Sequence, residues 1–289
     1  MPIKPRESLP YSFARFTQTL KRLGNPVARR LRNGLLPKDD EQRAAELQIR
    51  FQHEIPIFVY QMGKVGSTSI YRSLKKSYGG TVLHGHYFDA YHSNFELRQL
   101  HAWYSQQSAP KIKLISLIRE PVTRNISAFF QNFKRDTGME IEKCQKSMHE
   151  LRDMFLTNYP HEIPWVWFDN NIKKNFGIDV YEYPFGEQGH LIIKQENIEL
   201  LLLRCDLPDS RKSELVGDFV GLKSFSIANA NVSAEKEYSQ YMDAFKSIKL
   251  PLWYLHRLSA TKYMKHFYRD EIGPMIQTWT ETEQSSAQI

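Results

Sequence analysis

Short apolar runs alternate with longer mixed stretches through most of this chain. The apolar runs are bounded by turn residues and predict strands at residues 57–60, 81–86, 112–118, 191–194 and 198–204. The stretches between and around them predict helices at residues 39–53, 67–78, 94–106, 121–134, 140–158 and 165–175, and the C-terminal part is mostly helical. Strand–helix alternation through the first half predicts an α/β fold of three layers, in which helices cover both faces of a mainly parallel central sheet.

The length of the chain suits one large domain with an additional segment at each terminus. At 289 residues it can bury a full core, and no internal repeat divides it. We expect a basic helical arm at residues 1–53, the α/β domain at 54–280 and a polar tail at 281–289.

The most informative segment, residues 61–70 (QMGKVGSTSI), follows the first predicted strand directly. Gly63 and Gly66 allow the main chain to approach an anion closely, because neither carries a Cβ atom. Successive N–H groups converge there with the start of a helix, and Lys64 adds a positive charge. Further backbone N–H groups and hydroxyls come from Val65, Ser67, Thr68 and Ser69. The segment therefore predicts a binding site for phosphate or a group of similar shape.

This loop differs from the P-loop of nucleotide hydrolases. Phe58 stands where that motif has its first glycine, and Val65 stands where it has the Ser or Thr that binds Mg²⁺. An ordinary nucleotide hydrolase is therefore disfavoured. A nucleoside triphosphate-dependent kinase with a divergent loop stays an alternative, because the apolar run 200–203 leads to Asp206, as a Mg²⁺ site would need.

A second anion-binding pattern follows the strand at 112–118. Arg119 ends that strand, Pro121 suits the first turn of a helix, and Ser127 lies two turns along it. Ligands of open α/β sheets bind at the carboxyl ends of the strands, where an arginine can bind a phosphate through two hydrogen bonds. Arg119 and Ser127 are therefore predicted to bind one phosphate group.

Together, these two patterns resemble those of sulfotransferases that use 3′-phosphoadenosine-5′-phosphosulfate (PAPS), a superfamily with a P-loop-like fold. Residues 61–70 resemble its 5′-phosphosulfate loop, and Arg119 with Ser127 resembles its 3′-phosphate motif. Ser69 stands where many members have tryptophan. Within the superfamily the chain is most similar to the bacterial capsular polysaccharide synthesis group, through Trp167-Phe168-Asp169-Asn170, residues 176–181, Lys262-Tyr263 and residues 265–268. The resemblance extends from about residue 55 to residue 279.

The resemblance implies transfer of a sulfuryl group from PAPS to a hydroxyl of a carbohydrate, either a polysaccharide or a glycolipid. The residues that it assigns to PAPS are Gly63, Lys64, Val65, Gly66, Ser67, Thr68, Ser69, Arg119, Ser127 and Asn229. Asn229 lies in a segment, 223–231, that resembles the loop closing over the nucleotide, although an ordinary surface loop is the alternative. Lys64 is expected to stabilise the charge that develops on the leaving oxygen. No metal is expected, because the sequence has no clustered ligand spacing.

The general base is expected at the end of the strand at 81–86. His84 and His86 lie there, and an imidazole has a suitable pKa for proton transfer near neutral pH. His86 is the preferred base because it lies farther out of the strand, and His84 is the second candidate. Asp89 and Asp206 are the carboxylate alternatives, and a purely structural role for one histidine is also open.

Two sets of side chains are candidates for contact with the acceptor. Trp165, Trp167 and Phe168 could stack on a sugar, although an aromatic face at helical spacing is more often part of a core. Arg124, Lys134 and Arg135 could attract an anionic acceptor, and the alternative is that they are solvated residues of a helix surface.

The net charge of +7 is concentrated in the N-terminal arm. Before Asp39, nine basic residues are accompanied by Glu7 alone, and apolar residues recur there at three- and four-residue steps. Such an arm suits an anionic membrane surface or a partner, or it packs on its own domain. No nucleic-acid-binding signature accompanies the charge, so nucleic acid is not expected as a partner.

The predicted location is the cytoplasm, with peripheral contact at the inner face of the membrane. No apolar run reaches the length of a membrane span, the first ten residues do not form a signal peptide, and two cysteines fit a reducing compartment. A third interpretation, of a different class, is a non-catalytic peripheral component of a polysaccharide assembly. The acceptor, the sulfated position and the oligomeric state do not follow from the sequence.

Overall fold

The computed structural model of the chain describes residues 38–107, 110–228 and 238–280. The described strands form one five-stranded sheet: β1 (Ile57–Tyr60), β2 (Val82–Gly85), β3 (Ile112–Ile118), β4 (His190–Gln195) and β5 (Ile198–Arg204). Their order across the sheet is β2-β1-β3-β5-β4. β1 is parallel to β2 and β3, β3 is parallel to β5, and β4 is antiparallel to β5. The predicted α/β fold class is confirmed: a mainly parallel central sheet and helices form a three-layer arrangement.

The helices of the described residues are short to medium in length. They are α1 (Lys38–His53), α2 (Ser67–Ser77), α3 (Phe95–Gln106), α4 (Pro121–Gln131), α5 (Phe133–Thr137), α6 (Met148–Asn158), α7 (Ile163–Phe168), α8 (Lys174–Phe176), α9 (Asp209–Val220), α10 (Ser239–Phe245), α11 (Leu252–Ser259), α12 (Lys262–Phe267) and α13 (Ile272–Trp279). Short 3₁₀ segments occur at Ile141–Lys143, Val180–Glu182 and Arg269–Glu271, and a π-helical segment at Asp169–Lys173 joins α7 to α8.

The apolar runs form strands because both faces of the central strands are covered. All four residues of β1 have no exposed surface, and Leu200 to Leu203 in β5 are equally buried. Parallel strands covered on both faces typically show such continuous apolar runs. Burying one Leu, Ile or Phe side chain contributes about 1.5–3 kcal/mol, so these strands supply much of the core.

Most predicted elements are confirmed within one or two residues. β1, β3 and β5 have the predicted bounds, and Asn94 caps α3 by accepting a hydrogen bond from the N–H of Leu97. Gly177 ends α8 in the left-handed region, at a φ of 73°, as a helix-ending glycine commonly does.

Two helix predictions were too long. The predicted helix at 121–134 ends at Gln131, and Asn132 separates α4 from α5. The predicted helix at 140–158 is a 3₁₀ segment followed by α6. Ser147 and Glu150 form a reciprocal capping box that begins α6 at Met148. Here a local capping pattern competes with the longer apolar spacing and sets the start of the helix.

A boundary between two compact units falls between Ile49 and Arg50, and the second unit contains the whole sheet. The predicted amphipathic arm before residue 38, Asn229 and the polar tail at 281–289 lie outside the described residues. In the part of the chain that the structure describes, no helix is both long and apolar enough to cross a membrane.

Candidate functional site

The carboxyl ends of three neighbouring parallel strands bring the predicted site residues together. The loop containing Lys64 follows β1, the histidine pair ends β2, and Arg119 follows β3. One cleft of about 620 Å³ lies at this edge of the sheet. Ten of the predicted residues line it, namely Gly63, Lys64, Gly66, Ser67, Thr68, Ser69, His84, His86, Arg119 and Ser127. Val65 is buried with its side chain against a second cavity, so it can reach a cleft ligand only through its backbone.

The loop after β1 has an unusual backbone. Gly63, Lys64 and Gly66 have φ angles of 83°, 64° and 79°, all in the left-handed region. For Lys64 this conformation costs about 1–2 kcal/mol, because its Cβ approaches the following carbonyl oxygen. Space for a Cβ atom is open at Gly66, so its φ angle rather than crowding favours glycine there. Strained backbone of this kind persists only where the surrounding structure holds it.

Two arginines hold the carbonyl groups of this loop. Arg124, on α4, is 3% exposed and donates hydrogen bonds to the carbonyl oxygens of Met62 at 2.8 Å and Gly63 at 3.2 Å. Arg119 donates to the carbonyl oxygen of Lys64 at 3.0 Å. The interpretation of Arg124 as a solvated residue of the helix surface is therefore wrong, since its guanidinium is buried against the loop.

Arg119 is itself held from the C-terminal part of the chain. The hydroxyl of Tyr263, on α12, accepts a hydrogen bond from the Arg119 N–H at 3.1 Å and donates one to its carbonyl oxygen at 2.9 Å. Tyr263 is fully buried, and its pKa is raised because burial disfavours the phenolate. The backbone of Arg119 is thus fixed, and its guanidinium retains donors beyond the one directed at the loop.

The Lys64 ammonium group points across the cleft. It donates a hydrogen bond to the side-chain oxygen of Gln131 on α4, and it lies 3.4 Å from the hydroxyl of Tyr238, which precedes α10. Lys64 also lines the cleft beside Ser67 and Arg119, so its ammonium group lies where it can act on an anion bound there.

The two histidines differ in their surroundings. His84 is partly buried, its ring stacks on Tyr71 at 5.1 Å, and its Nε2 lies 2.9 Å from the hydroxyl of Ser67. Burial, together with the nearby His86, lowers the pKa of His84 to about 4. His84 is therefore neutral near pH 7, and with its hydrogen on Nδ1 it accepts a hydrogen bond from Ser67 through Nε2. His86 is exposed at the mouth of the same cleft.

Gln61 lies between the loop and both histidines. Its side-chain oxygen accepts a hydrogen bond from the N–H of Gly63, so its side-chain nitrogen faces His84 Nε2, 3.3 Å away. Its backbone carbonyl oxygen is 2.9 Å from His86 Nδ1. The side-chain nitrogen of Gln61 also lies 3.0 Å from His86 Nδ1. The carbonyl oxygen can only accept and the amide nitrogen can only donate, so the two contacts suit opposite tautomers of His86. With the hydrogen on Nδ1, Nε2 of His86 has the basic lone pair.

The two carboxylate alternatives are engaged elsewhere. Asp89 accepts hydrogen bonds from the N–H groups of Tyr91 and His92, in a turn after β2. Burial alone would raise the Asp89 pKa, but these bonds and the His92 side chain bring it below its usual value. Asp206 pairs with Arg204 at 2.5 Å and lines the second cavity rather than this cleft. No group of three or more metal-ligating side chains lies together in the described ranges.

The cleft is basic in character. Lys64, Arg119, Arg124 and Arg135 line it, whereas no Asp or Glu does so among the described residues. Arg135 pairs at 2.7 Å with Asp136, and Lys134 is an exposed residue paired with Glu140, outside the cleft lining. A cleft lined by cations, amides and hydroxyls favours an anionic ligand.

The wall opposite the loop comes from α7 and the π-helical segment. Trp167 is 6% exposed and packs edge-on against Tyr60 at 4.9 Å, and Phe168 is buried against Tyr263. These two rings are therefore core residues, as expected for an aromatic face at helical spacing. Asn170 and Asn171 line the cleft beside Trp167. π-helical segments are frequent at functional sites, and this one brings consecutive amides to the wall.

Sequence analysis did not predict that Gln61 and Tyr263 contribute to the site, and it proposed Arg124 only as a residue that attracts the acceptor, not as one that holds the loop. A signal was present for Arg124, because it precedes Ser127 by three residues, which places both on one helix face. Gln61 directly precedes the glycine-rich segment, but its contact with the histidines depends on the pairing of β1 with β2. No local pattern connects Tyr263 to Arg119, which is 144 residues away.

Comparison with known proteins bears mainly on the second half of the chain. Residues 136–269, a little under half of the chain, match the model of a family described as "Putative capsular polysaccharide synthesis protein". A search of the curated proteins finds no match, and neither does a search of the solved structures. The family match supports the resemblance to the capsular group and indicates a role in polysaccharide synthesis. The matched region contains Tyr159, Trp167 and Tyr263, whereas the loop after β1 and Arg119 precede it.

Proposed function

We propose that the chain transfers a sulfuryl group from PAPS to a hydroxyl of a carbohydrate. The observation that carries the proposal is the convergence of the glycine-rich loop, Arg119 with Ser127, and the histidine pair on one basic cleft. The chemistry of the donor set fits the ligand, because two phosphate-type groups need backbone N–H groups, cations and hydroxyls. The role in polysaccharide synthesis indicated by the family match is consistent with a carbohydrate acceptor.

The loop residues and the pair Arg119 and Ser127 are assigned to different groups of PAPS. Gly63 to Ser69 would hold the 5′-phosphosulfate, while Arg119 and Ser127 would hold the 3′-phosphate. PAPS supplies an activated sulfuryl group whose leaving oxygen gains negative charge as the S–O bond breaks. The Lys64 ammonium stabilises that charge, which exists only during reaction, and so it lowers the barrier rather than merely strengthening binding.

His86 is the proposed general base. In the tautomer with the hydrogen on Nδ1, the ring donates to the carbonyl oxygen of Gln61, which orients it and leaves Nε2 to take the proton of the acceptor hydroxyl. His84 has the opposite arrangement, since its Nε2 already accepts a hydrogen bond from Ser67. We therefore assign His84 a positioning role, in which it orients Ser67 at the start of α2.

The test is ligand-dependent thermal stabilisation of the protein. The product 3′,5′-adenosine bisphosphate should raise the melting temperature by mass action, and 5′-AMP should do so much less because it lacks the 3′-phosphate. Arg119→Ala should remove most of the difference between the two ligands, since a charge-assisted bidentate contact contributes about 1.5–3 kcal/mol.

Arg152→Ala is the matched control, because Arg152 is on α6 and pairs with Asp153. It should leave the difference between the two ligands intact. Equal stabilisation by ATP with Mg²⁺ and by the bisphosphate would favour the kinase instead. Binding of the bisphosphate without any sulfuryl transfer to carbohydrate acceptors would favour the non-catalytic component.

A further inference from the structure

Arg124 is a buried cation with an unusual set of partners. Burying a charge is costly unless hydrogen bonds or an opposite charge compensate it. Among the described residues, the hydrogen bonds of Arg124 go to the carbonyl oxygens of Met62 and Gly63, the side-chain oxygen of Asn125 at 3.1 Å and the hydroxyl of Tyr159 at 2.6 Å. None of these partners is a carboxylate, and two of them belong to the loop after β1.

The two arginines act on three consecutive peptide groups. Arg124 binds the carbonyls of Met62 and Gly63, and Arg119 binds that of Lys64. In a planar trans peptide the N–H points opposite to the C=O. The amide N–H groups that follow these carbonyls are therefore directed away from the arginines. The N–H of Gly63 donates to the side-chain oxygen of Gln61, and those of Lys64 and Val65 are the groups that an anion in the loop would use.

The same contacts coincide with the strained part of the loop. Gly63 and Lys64 both have positive φ angles, and the carbonyl oxygen of each is held by a guanidinium. A conformation of this kind in a non-glycine residue needs external support. Arg124 lies on rigid α4, whose N-terminus is capped by Glu120, so the support comes from regular structure rather than from another loop.

We propose that Arg124 is a positioning residue that holds the loop in its anion-binding conformation. It acts through the carbonyls of Met62 and Gly63 rather than through the anion itself. The anion is the 5′-phosphosulfate group of PAPS, so this inference rests on the proposed function. Arg119 both positions the loop and binds the ligand. One of its N–H donors is directed at the loop, and the remaining donors are available to the ligand.

Lysine separates positioning from simple charge attraction. Arg124 spans two carbonyls with donors on two different nitrogens, Nε and Nη2, whereas a lysine ammonium presents its donors from one atom. Arg124→Lys keeps the charge and loses the two-point contact. An electrostatic role for Arg124 would survive this change, and a positioning role would not.

The experiment measures amide hydrogen exchange without nucleotide, and then titrates the protein with 3′,5′-adenosine bisphosphate. In Arg124→Lys we expect exchange in residues 61–68 to be at least about tenfold faster, with exchange in β3 and β5 unchanged. Affinity for the bisphosphate should fall at least about tenfold, since each lost charge-assisted bond counts for that much. Arg152→Lys, the same change in an exposed ion pair on α6, should alter neither quantity.

A second variant covers the case in which Arg124→Lys does not fold. Tyr159→Phe leaves the guanidinium in place and removes its 2.6 Å hydrogen bond, so it should change both quantities in the same direction but less. A folded Arg124→Lys protein with normal loop exchange and normal affinity would overturn the proposal. Faster exchange throughout the sheet would also overturn it, because Arg124 would then be a general stability residue.

The two proposals fail in different ways. If the unaltered protein does not bind the bisphosphate, the proposed function fails. The exchange measurement still decides whether Arg124 holds the loop, because it is made without nucleotide. Normal exchange together with lost affinity in Arg124→Lys would instead mean direct contact between Arg124 and the ligand, and would overturn the positioning role.

Discussion

The loop after β1 and the histidine pair at the end of β2 lie side by side in one cleft, but they are held in different ways. The loop is held through its backbone carbonyls by Arg119 and Arg124, so its shape depends on residues outside it. The histidines are held through their side chains, by Gln61, Ser67 and the stacked ring of Tyr71. The difference suggests that anion binding depends on main-chain geometry, whereas proton transfer depends on a few side-chain atoms.

Removing the proposed base should have the largest effect. His86→Ala is expected to lower turnover by roughly a hundredfold to ten-thousandfold, the usual range for loss of a general base. The affinity for 3′,5′-adenosine bisphosphate should hardly change, because the loop and Arg119 are left intact. Steady-state kinetics and calorimetric titration measure the two effects separately.

His92→Ala is the matched control, since His92 lies in the turn after β2 with Asp89 as its partner. It should leave turnover near normal. Full activity in His86→Ala with loss in His84→Ala would move the base to His84. If both variants stayed active, Asp89 would be the next residue to replace, and the contrast between the two regions would no longer hold.

Lys64 is part of the loop after β1, and its side chain has a proposed role in the reaction. Lys64→Ala should lower turnover by roughly a hundredfold to a thousandfold, as for loss of one group that stabilises developing charge. Bisphosphate binding should weaken much less, because the leaving-group charge is absent in the product complex. Turnover should persist in EDTA, and a reversible loss on chelation would contradict the assignment of this role to Lys64 alone.

The buried histidine predicts a smaller, pH-dependent effect on stability. The pKa of His84 is about 4 in the folded protein and about 6.5 in an unfolded chain. The unfolded chain therefore binds the extra proton first, and stability should fall as the pH drops from about 6.5 to about 4, by up to about 3 kcal/mol. Above pH 6.5 this contribution is fully present.

Replacing His84 isolates that contribution. His84→Asn should flatten the fall in the free energy of unfolding between pH 6.5 and pH 4, measured by urea denaturation. His149→Asn, a change at an exposed position on α6, should leave it unchanged. An identical pH dependence in the His84 variant would mean that burial does not hold the ring neutral, and that the two histidines are more alike than their contacts indicate.

Much of the fold could be predicted because its signals are local. The apolar runs of β1, β3 and β5 and the caps at Asn94 and Gly177 lie within a few residues of the elements they define. The failures were local as well, since the capping box at Ser147 divided a stretch whose apolar spacing favoured one continuous helix. Competition between two short-range patterns is difficult to decide without the packing around them.

The sequence predicted most of the residues that line the cleft, but not the residues that hold them in place. Parallel strands place their carboxyl ends at one edge of the sheet, so the predicted parallel sheet was enough to expect Lys64, His86 and Arg119 at the same edge. The structure adds that their strands are neighbours, in the order β2-β1-β3. The same reasoning placed Asp206 near the cleft as an alternative base, but the structure pairs it with Arg204 in another cavity. The position of a residue at a strand end predicts the edge of the sheet at which it lies. The partners of its side chain decide which cavity at that edge it lines.

The sequence by itself determined the strand–helix order, the glycine-rich loop and the candidate histidines, because each depends on neighbours in the chain. Only the tertiary structure decided that Arg124 is buried behind the loop, that Gln61 bridges the loop and the histidines, and that Tyr263 fixes Arg119. These are contacts between residues far apart in sequence, and many alternative pairings would satisfy the same local patterns. Burial and hydrogen-bond satisfaction select among them only when the whole core packs.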